Sequence, residues 1–533
     1  MGKIQEIRES ETGKKIVKKG KSGIGRILFG RTGVIMLLLL LQLGILFMVF
    51  SRLQQHVIYV YWLFALLSAL TAILIINRPG NPAFKLAWMV PITIFPVFGM
   101  LLYLFVEFQA GERLLNRRLQ DVEQQMRKYV LQDPDVFEEL ERTDKRTSNL
   151  SRYVMEKGGF PTYKNYHTAY YPWGKDKFEA LIKELNKAEK FIFMEYFIVA
   201  EGKMWNTVLE ILKKKVQEGV EVRFMYDGMG NLFTLPHGYE KAMQEKGIQC
   251  KIFAPVRPAL SSYQNNRDHR KICVIDGHTA FTGGVNLADE YINQRVRFGH
   301  WKDTAVMIKG KAVDSFTMMF LQLWDVTERD GEEYRRFLCP PEFHMPAGMA
   351  YGGFVMPYAD SPLDGENIGE SVYLDILGRS RRYVHITTPY LILDDTTLAA
   401  LKFAAKRGVE VIIIIPHIPD KLYAYLLARS YYAELLRAGV QIYEYTPGFI
   451  HAKMFTSDDE KAVVGTINLD FRSLYLHFEC ASYFFRNAVV MDVEEDFQKT
   501  LAKSERITLE NCRKYPFIRR FAGKALRILA PLM

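Results

Sequence analysis

Long apolar runs set the N-terminal part of the chain apart from the rest. Residues 33–50 contain a single polar residue, Gln42, and residues 57–76 contain no charge. A run of about 20 apolar residues is long enough to cross a bilayer as a helix. The pattern therefore predicts two transmembrane helices, 33–50 and 57–76. A buried soluble hairpin is the alternative, and the length of both runs disfavours it.

A third apolar run, residues 86–106, is interrupted by Pro91 and Pro96. These prolines free backbone carbonyls that need partners elsewhere, so the run predicts either a kinked third span or a membrane-embedded segment. Basic residues crowd the polar tail 1–31 and return after the run, at positions 113, 117, 118, 127 and 128. Because basic flanks favour the cytoplasmic side, we expect two spans plus an embedded segment within a membrane module 32–110.

The pattern changes after the membrane module. Residues 111–157 are charged with helical periodicity and predict a connector. Strand and helix patterns then alternate twice, in residues 158–340 and 368–510, which predicts an α/β sheet in each half. Residues 341–367, rich in Pro and Gly, predict a linker between the halves. The strand segments correspond in pairs: 190–196 with 383–390, 219–227 with 408–416, and 247–253 with 439–445.

A short motif occurs once in each half with identical spacing. Lys lies two residues after His, Asp seven after and Asn seventeen after. Agreement at four positions makes chance repetition well below ~1%, so the site is duplicated. The two copies are His269, Lys271, Asp276 and Asn286 in the first half, and His451, Lys453, Asp458 and Asn468 in the second.

The residue types of this motif suit phosphodiester chemistry. His-x-Lys on a strand places both side chains on one face. The small segments around Gly284 and Thr466 allow backbone amides and the two asparagines to approach an anion closely. Two such halves offer two imidazoles and two lysines around one phosphate. These groups are a nucleophile, a general acid and fixed positive charge for the phosphoryl oxygens.

Composition limits the chemical class of the binding partner. The net charge is +10 and the pI is near 9.0, which favours an anionic partner, either lipid headgroups or nucleic acid. The five cysteines are scattered without a CxxC, so we expect reduced thiols rather than a disulfide or metal framework. No phosphate-binding loop, dinucleotide fingerprint or zinc spacing is present in the sequence.

The paired HxKxxxxD motifs resemble the phospholipase D superfamily. The segments 81–88, 96–99 and 102–103 resemble the N-terminal membrane module of its bacterial cardiolipin synthase branch. The resemblance extends from about residue 50 to the end. It implies two duplicated α/β halves packed face to face, with the motifs meeting at their interface, preceded by transmembrane helices.

The resemblance also implies roles for residues outside the motif. Asp303 and Glu479 are the implied carboxylates that orient the histidines; they lie 34 residues after His269 and 28 residues after His451. An ordinary surface acid is the alternative for each. Asp276 and Asp458 belong to the motif's catalytic set, but their place at the strand-end turn favours support of the turns.

The expected function is cardiolipin synthesis from two phosphatidylglycerol molecules through a phosphatidyl-histidine intermediate. His269 attacks the phosphorus and His451 protonates the departing glycerol, in the order followed by relatives in the superfamily; the sequence itself leaves the order open. We expect no metal or cofactor, because Lys271 and Lys453 supply the charge. The site is expected at the cytoplasmic face of a bacterial plasma membrane, in a multi-pass protein; the oligomeric state stays open.

Four other functions remain open. A phospholipase D hydrolase uses the same residues with water as acceptor, and a phosphatidylserine synthase uses a nucleotide-activated lipid. A membrane-tethered nuclease suits the basic charge, but membrane spans would then have little purpose, so we expect no nucleic-acid partner. A non-catalytic lipid-binding scaffold is disfavoured by the intact His, Lys and Asn of both halves.

The C-terminal segment 511–533 interleaves basic and apolar residues. This pattern is typical of a basic amphipathic helix that lies on anionic lipid. A terminal helix packed on the domain is the alternative.

Overall fold

The structure, a computed structural model, describes residues 44, 47, 57–107, 110–164, 166–256, 265–326, 333–343 and 352–532. The predicted basic tail 1–31 lies outside the described residues, as does the predicted span 33–50 apart from residues 44 and 47. The chain divides into two compact units, Met1–Gln109 with Val256–Gln264, and Ala110–Pro255 with Asn265–Met533.

Among residues 57–107 the first unit contains three helices: α1 (Val57–Asn77), α2 (Pro82–Ile94) and α3 (Pro96–Glu107). The side chain of Asn81 caps α2 by accepting from the Ala83 amide. The predicted segment 86–106 is divided between α2 and α3, which separate at Phe95. Tyr103 on α3 packs edge-on against Trp88 on α2, with 5.3 Å between ring centroids. Within the described residues, no helix combines the length and apolarity required for a bilayer span.

The second unit begins with the predicted connector, which is helical. The helices are α4 (Ala110–Met126), α5 (Pro134–Thr143) and α6 (Lys145–Tyr153), followed by a π-helical turn, Val154–Gly158. Asp133 and Asp144 cap α5 and α6 through their side chains, which explains where those helices begin.

The first α/β half contains a seven-stranded sheet in the order β1-β9-β7-β6-β2-β3-β4. Its central strand β2 is buried along its whole length, as its apolar sequence predicts. The elements are β1 (His167–Tyr171), α7 (Gly174–Lys187), β2 (Phe191–Tyr196), α8 (Lys203–Gln217), β3 (Glu221–Asp227), α9 (Tyr239–Gln244), β4 (Gln249–Phe253), β5 (Arg267–Asp268), β6 (Lys271–Ile275), β7 (Thr279–Gly283), β8 (His300–Lys302), β9 (Ala305–Lys309) and α10 (Val313–Asp325), with 3-10 turns at Asp289–Ile292 and Tyr334–Phe337.

The second half repeats this order as β10-β17-β16-β15-β11-β12-β13, with β18 added at the edge. The duplication predicted from the strand pairs is therefore confirmed. The elements are β10 (Phe354–Asp360), α11 (Ile368–Arg379), β11 (Tyr383–Thr387), α12 (Asp395–Lys406), β12 (Glu410–Pro416), α13 (Leu422–Ala438), β13 (Gln441–Tyr445), β14 (Gly448–Ile450), β15 (Met454–Ser457), β16 (Lys461–Gly465), α14 (Phe471–Tyr475), β17 (His477–Phe485), α15 (Ala488–Leu501), β18 (Ser504–Ile507), α16 (Leu509–Lys514) and α17 (Phe517–Leu529), then a 3-10 turn, Ala530–Leu532.

The prediction of a linker over 341–367 was wrong for its central part. Residues Phe354–Asp360 form β10, which pairs antiparallel with β17 along its whole length. All seven residues of β10 are buried, so this stretch belongs to the second half. The strand is only seven residues long, and the Pro and Gly residues around it are typical of a linker, so the sequence pattern did not indicate a strand.

Two short strands cross between the halves. β5, which leads into the first motif, pairs parallel with β17 of the second half. β14, which leads into the second motif, pairs parallel with β8 of the first half. Each motif is therefore introduced by backbone that is hydrogen-bonded to the other half, and the two halves form one structure around the motifs.

A buried ion network secures the first of these crossings. Arg270, between the motif His and Lys, is 1% exposed and donates through Nε to Glu195 at 2.7 Å and to Asp268 at 3.4 Å. Asp227, at the end of β3, accepts from the Asp268 amide at 3.2 Å. Asp227 thereby fixes the chain that leads into the motif.

We expect Arg270→Ala to destabilise the protein by about 3–5 kcal/mol, because it leaves two buried carboxylates without their cation. Arg486→Ala is the matched control. Arg486 pairs with Glu460 at 2.7 Å, but both side chains are 40% or more exposed, so its loss should cost less than about 1 kcal/mol. Denaturant unfolding of both variants in detergent measures the difference. Equal stability of the two variants would contradict the structural role of Arg270.

Candidate active site

Both motif histidines are held through their backbones by the opposite half. The His269 amide donates to the Phe478 carbonyl at 2.9 Å, and the His451 amide donates to the Lys302 carbonyl at 2.7 Å. The crossing strands that make these bonds continue directly into the predicted orienting carboxylates. Each imidazole therefore meets a carboxylate whose position is set by the same strand pair.

The hydrogen bonds confirm contacts with both predicted carboxylates but reverse their pairing. The Nδ1–H of His269 donates to Glu479 at 2.8 and 3.0 Å, and the Nδ1–H of His451 donates to Asp303 at 2.7 Å. The expectation that each acid serves the histidine of its own half was wrong, because the crossing strands place each histidine next to the other half's acid. With Nδ1 occupied, the lone pair of each imidazole lies on Nε2.

The motif lysines lie beneath the histidines. Each Nζ donates to the backbone carbonyl of the histidine two residues earlier, Lys271 to His269 and Lys453 to His451. Burial lowers the pKa of Lys271 to about 8 and that of Lys453 to about 7. Two desolvated ammonium groups without a directly bonded carboxylate form a site that an anion would stabilise.

The two imidazoles differ in how readily they take a proton. Burial and the nearby Lys271 hold the pKa of His269 well below its usual range, whereas the pKa of His451 is lowered to about 4, chiefly by burial. Burial opposes ionisation of Asp303, but the charge and hydrogen bond of His451 hold its pKa below the usual value. Burial raises the pKa of Glu479 well above the usual value. His451 therefore has an ionised partner, whereas burial opposes ionisation of the partner of His269.

Gly284 and Thr466 do not have the predicted phosphate-binding role. Their amides donate to the Thr304 and Cys480 carbonyls, at 3.0 and 2.9 Å, so neither amide is available to a phosphate. A Cβ at Gly284 would lie 2.0 Å from Asp303 Oδ1, so glycine is required there for Asp303 to reach His451. The Thr466 hydroxyl donates to Glu479. Both residues position the carboxylates.

The two asparagines are partly committed to the protein. The Asn286 carbonyl accepts from the Ile198 amide at 2.9 Å, and its NH2 group donates to Tyr291 at 2.8 Å. The Asn468 NH2 group donates to Ser473 at 3.0 Å. Each NH2 group has a second N–H, so a phosphate contact by these side chains stays a prediction.

The motif aspartates support the turns, as their position predicts. Asp276 accepts from three consecutive amides, 189–191, at 2.8–2.9 Å. Asp458 accepts from the equivalent amides, 381–383, at 2.8–3.1 Å. Both aspartates adopt positive φ, 53° and 58°, where the strand ends. They anchor the start of β2 and β11, and their inclusion in the catalytic set was wrong.

His477 lies at the site but is not among the residues predicted from the sequence. It is 8% exposed, and its ring centroid lies 5.5 Å from that of His269. Within the described residues, neither ring nitrogen has a hydrogen-bond partner. In the first half the equivalent residue is Trp301, which packs on His451 at 5.5 Å. Each of these residues lies two positions before an orienting carboxylate, but only the fold shows that its ring covers the other half's histidine.

One cluster in the described part of the chain has the donor types of a metal site. Ligand atoms of His269, His477 and Glu479 lie within 4.8 Å of one another. Burial and the cations Arg472 and Lys271 hold the pKa of His477 well below its usual range. The same positive charges oppose a metal cation and favour an anion at this position.

Comparisons with known proteins agree with this geometry. The family profile described as "Cardiolipin synthase, PLD-like domain" matches residues 181–324 and 373–501, and "Phospholipase_D-nuclease N-terminal" matches 60–107. A cardiolipin synthase of Alkalihalophilus pseudofirmus is 33% identical over 473 residues, covering 88% of this chain and 93% of that protein. The chain belongs to the cardiolipin synthase family of the phospholipase D superfamily.

One further relative and one solved structure are also similar to this chain. An uncharacterised protein of Streptococcus mutans is 50% identical over 459 residues, covering 86% of this chain and 98% of that one. The crystal structure of phosphatidylserine synthase from Haemophilus influenzae matches with a TM-score of 0.54 at 13% identity, covering 72% of this chain and all of that one. The second match establishes a shared fold for this cardiolipin synthase family member.

We expect Gly284→Ala to lower phosphodiester turnover about 100-fold, because the added Cβ displaces Asp303 and His451 loses the carboxylate that orients it. Steady-state rates of the purified variant measure this. Gly378→Ala is the control, since a Cβ at this helical position meets no atom within 4 Å. Wild-type turnover in Gly284→Ala would contradict the positioning role of the glycine.

We expect His477→Phe to separate stability from activity. The ring nitrogens of His477 make no hydrogen bond with the described residues, so replacing this buried ring by an apolar one should leave the unfolding temperature unchanged or raise it. Turnover should fall about tenfold, because the substrate loses a hydrogen-bond partner beside His269. His477→Asn, which keeps a donor and an acceptor, should retain more turnover than His477→Phe. Full turnover in His477→Phe would contradict a hydrogen bond between His477 and the substrate.

Proposed function

We propose that the chain transfers a phosphatidyl group between two phosphatidylglycerol molecules, giving cardiolipin and glycerol. The observation that carries this proposal is the pair of crossed hydrogen bonds, His269 to Glu479 and His451 to Asp303. They leave one Nε2 of each half free for chemistry beside two buried lysines. This arrangement suits in-line displacement at one phosphorus, with a nucleophile on one side and a general acid on the other.

In the first step the Nε2 lone pair of neutral His269 attacks the phosphorus of one phosphatidylglycerol. The bond between phosphorus and the headgroup glycerol oxygen breaks, and protonated His451 gives its proton to that oxygen. Free glycerol leaves, and a phosphatidyl-histidine remains. Lys271 and Lys453 stabilise the charge on the non-bridging phosphoryl oxygens.

In the second step neutral His451 removes the proton from a headgroup hydroxyl of a second phosphatidylglycerol. The hydroxyl oxygen attacks phosphorus, the phosphorus–nitrogen bond breaks, and cardiolipin forms. His269 returns to its neutral form and His451 is protonated again. In the reverse direction His269 attacks a phosphorus of cardiolipin and releases phosphatidylglycerol, and glycerol then attacks the phosphatidyl-histidine, so the transfer is reversible.

The surroundings of the two histidines support this order. His451 has the ionised Asp303 at 2.7 Å, which stabilises an imidazolium. The pKa of His269 is held well below its usual range by burial and Lys271, so His269 stays neutral and nucleophilic. A bound phosphodiester adds negative charge that raises the pKa of His451 from about 4 toward the range in which a general acid works.

Water competes with the lipid hydroxyl, and the proposal requires its exclusion. His269 and His451 are each 7% exposed, so the site is nearly closed to bulk solvent. We further propose that the N-terminal unit is membrane-associated and that the enzyme acts at the cytoplasmic face of the plasma membrane. Exposed apolar side chains on α1, such as Leu66 and Leu74, support this association.

We expect purified enzyme to convert phosphatidylglycerol labelled in its headgroup into cardiolipin and free labelled glycerol, in one-to-one yield. His269→Ala and His451→Ala should each lower the rate at least about 1,000-fold, because each removes a group that one step requires. Chromatography of the lipid and water-soluble products measures both quantities.

The products also separate the proposal from its rivals. Phosphatidic acid as the main lipid product identifies a hydrolase, and turnover that requires a nucleotide-activated lipid identifies a phosphatidylserine-synthase-like transfer. Asp492→Asn serves as the control variant, since Asp492 lies on α15 outside the site. Wild-type rates in His269→Ala would contradict the mechanism itself.

A further inference from the structure

The C-terminal helix α17 is fixed to α13 by one face. Gly523 is buried there, and a Cβ on it would lie 2.4 Å from the Leu426 carbonyl oxygen. Arg527 donates to the Ser430 hydroxyl at 2.8 Å and to its carbonyl at 2.7 Å. The alternative of a packed terminal helix is therefore correct for this face.

Another side of α17 exposes apolar side chains to solvent. Phe517, Ile518 and Phe521 are 72%, 79% and 65% exposed, and Ile528 and Leu529 on later turns are also exposed. These positions share a side of the helix because they lie three, four or seven residues apart along most of its length. Within the described residues, nothing covers the phenylalanine and isoleucine side chains of this helix, although Gly523 is buried and Arg527 is partly buried.

A basic cavity of about 530 Å³ lies beside this apolar ridge, between α13, α16 and α17. Seven cations and one acid line it: Arg429, Arg437, Arg513, Arg519, Arg520, Lys524, Arg527 and Glu434. Two of the cations are neutralised, Arg527 by Glu434 at 3.7 Å and Arg429 by Glu444 at 3.5 Å. Within the described residues the other five form no ion pair, so the cavity has an uncompensated positive charge that an anion would complete.

We propose that this cavity binds the phosphate headgroup of an anionic phospholipid, while the apolar ridge of α17 lies among the acyl chains of the same leaflet. Arg520 and Lys524 border both features, so one lipid can place its phosphate in the cavity and its chains along Phe517 and Phe521. The cavity shares no residue with the site around His269 and His451. It is a second lipid site that holds the C-terminal end at the surface where the substrate resides, and it does not depend on the proposed reaction.

Charge and apolarity together select the lipid over other anions. An acidic protein or free phosphate complements the cations but leaves the exposed ridge in water. A leaflet containing anionic lipid satisfies both, since interfacial helices combine a buried apolar face with basic residues at the headgroup level. The volume of the cavity is also within the range of small-ligand sites.

The test places an environment-sensitive fluorophore on the ridge of the full-length protein. Ile518→Cys is labelled with nitrobenzoxadiazole after Cys339→Ser and Cys512→Ser remove the partly exposed thiols. His269→Ala is included so that no lipid is consumed. The protein is reconstituted in nanodiscs of phosphatidylcholine alone, or of phosphatidylcholine and phosphatidylglycerol in equal amounts, with and without a spin-labelled lipid that quenches the probe.

We expect blue-shifted emission and strong quenching in the nanodiscs with phosphatidylglycerol, and weaker effects in phosphatidylcholine alone. Arg520→Glu combined with Lys524→Glu should remove most of the phosphatidylglycerol-dependent quenching, because the cavity loses its cations. Lys183→Glu with Lys246→Glu is the control: it changes the net charge equally at exposed positions of the first half and should leave the quenching intact.

Three results would overturn the proposal. Equal emission in both nanodiscs would exclude an anionic lipid, and an equal loss in the control pair would reduce the effect to net charge. Abolition of the phosphatidylglycerol effect by excess inorganic phosphate would mean that the cavity takes free phosphate instead. Because the readout needs no turnover, each of these results is independent of the outcome for cardiolipin synthesis.

Discussion

Each imidazole of the duplicated motif is held by a carboxylate that belongs to the other half, and the active site exists only because the halves exchange these contacts. The parallel pairings β5 with β17 and β14 with β8 bring Glu479 to His269 and Asp303 to His451. A single half would leave its histidine without an orienting partner and its buried lysine without the shared anion. The active site therefore requires both halves of the duplication.

The sequence predicts much of this arrangement because strand and motif spacings are local. The paired strands, the two HxK motifs and the turn-supporting aspartates follow from alternation and repeat distance. The crossed pairing does not, since Asp303 lies closer in sequence to His269 than to His451. The role of Gly284 also depends on a contact across the fold, and the Pro and Gly around β10 resemble a linker until its pairing with β17 is seen.

The two halves are related but chemically unequal. Asp303 reaches its position because Gly284 has no Cβ, whereas the longer Glu479 is positioned by a hydrogen bond from the Thr466 hydroxyl. The pKa of Asp303 is held below its usual value, whereas burial raises that of Glu479 well above it, so two identical histidines in a nearly symmetric fold have chemically different partners. Burial lowers the pKa of both histidines. The same burial limits access of the water that would turn transfer into hydrolysis.

The covalent step is tested most directly with phosphatidyl-4-nitrophenol as donor, because its leaving group departs without a general acid. His451→Ala should then release one nitrophenolate per active site in a burst and accumulate a phosphatidyl adduct, found by mass spectrometry on the peptide that contains His269. His269→Ala should give neither burst nor adduct. A burst from His269→Ala with label on His451, or no adduct in either variant, would contradict the account.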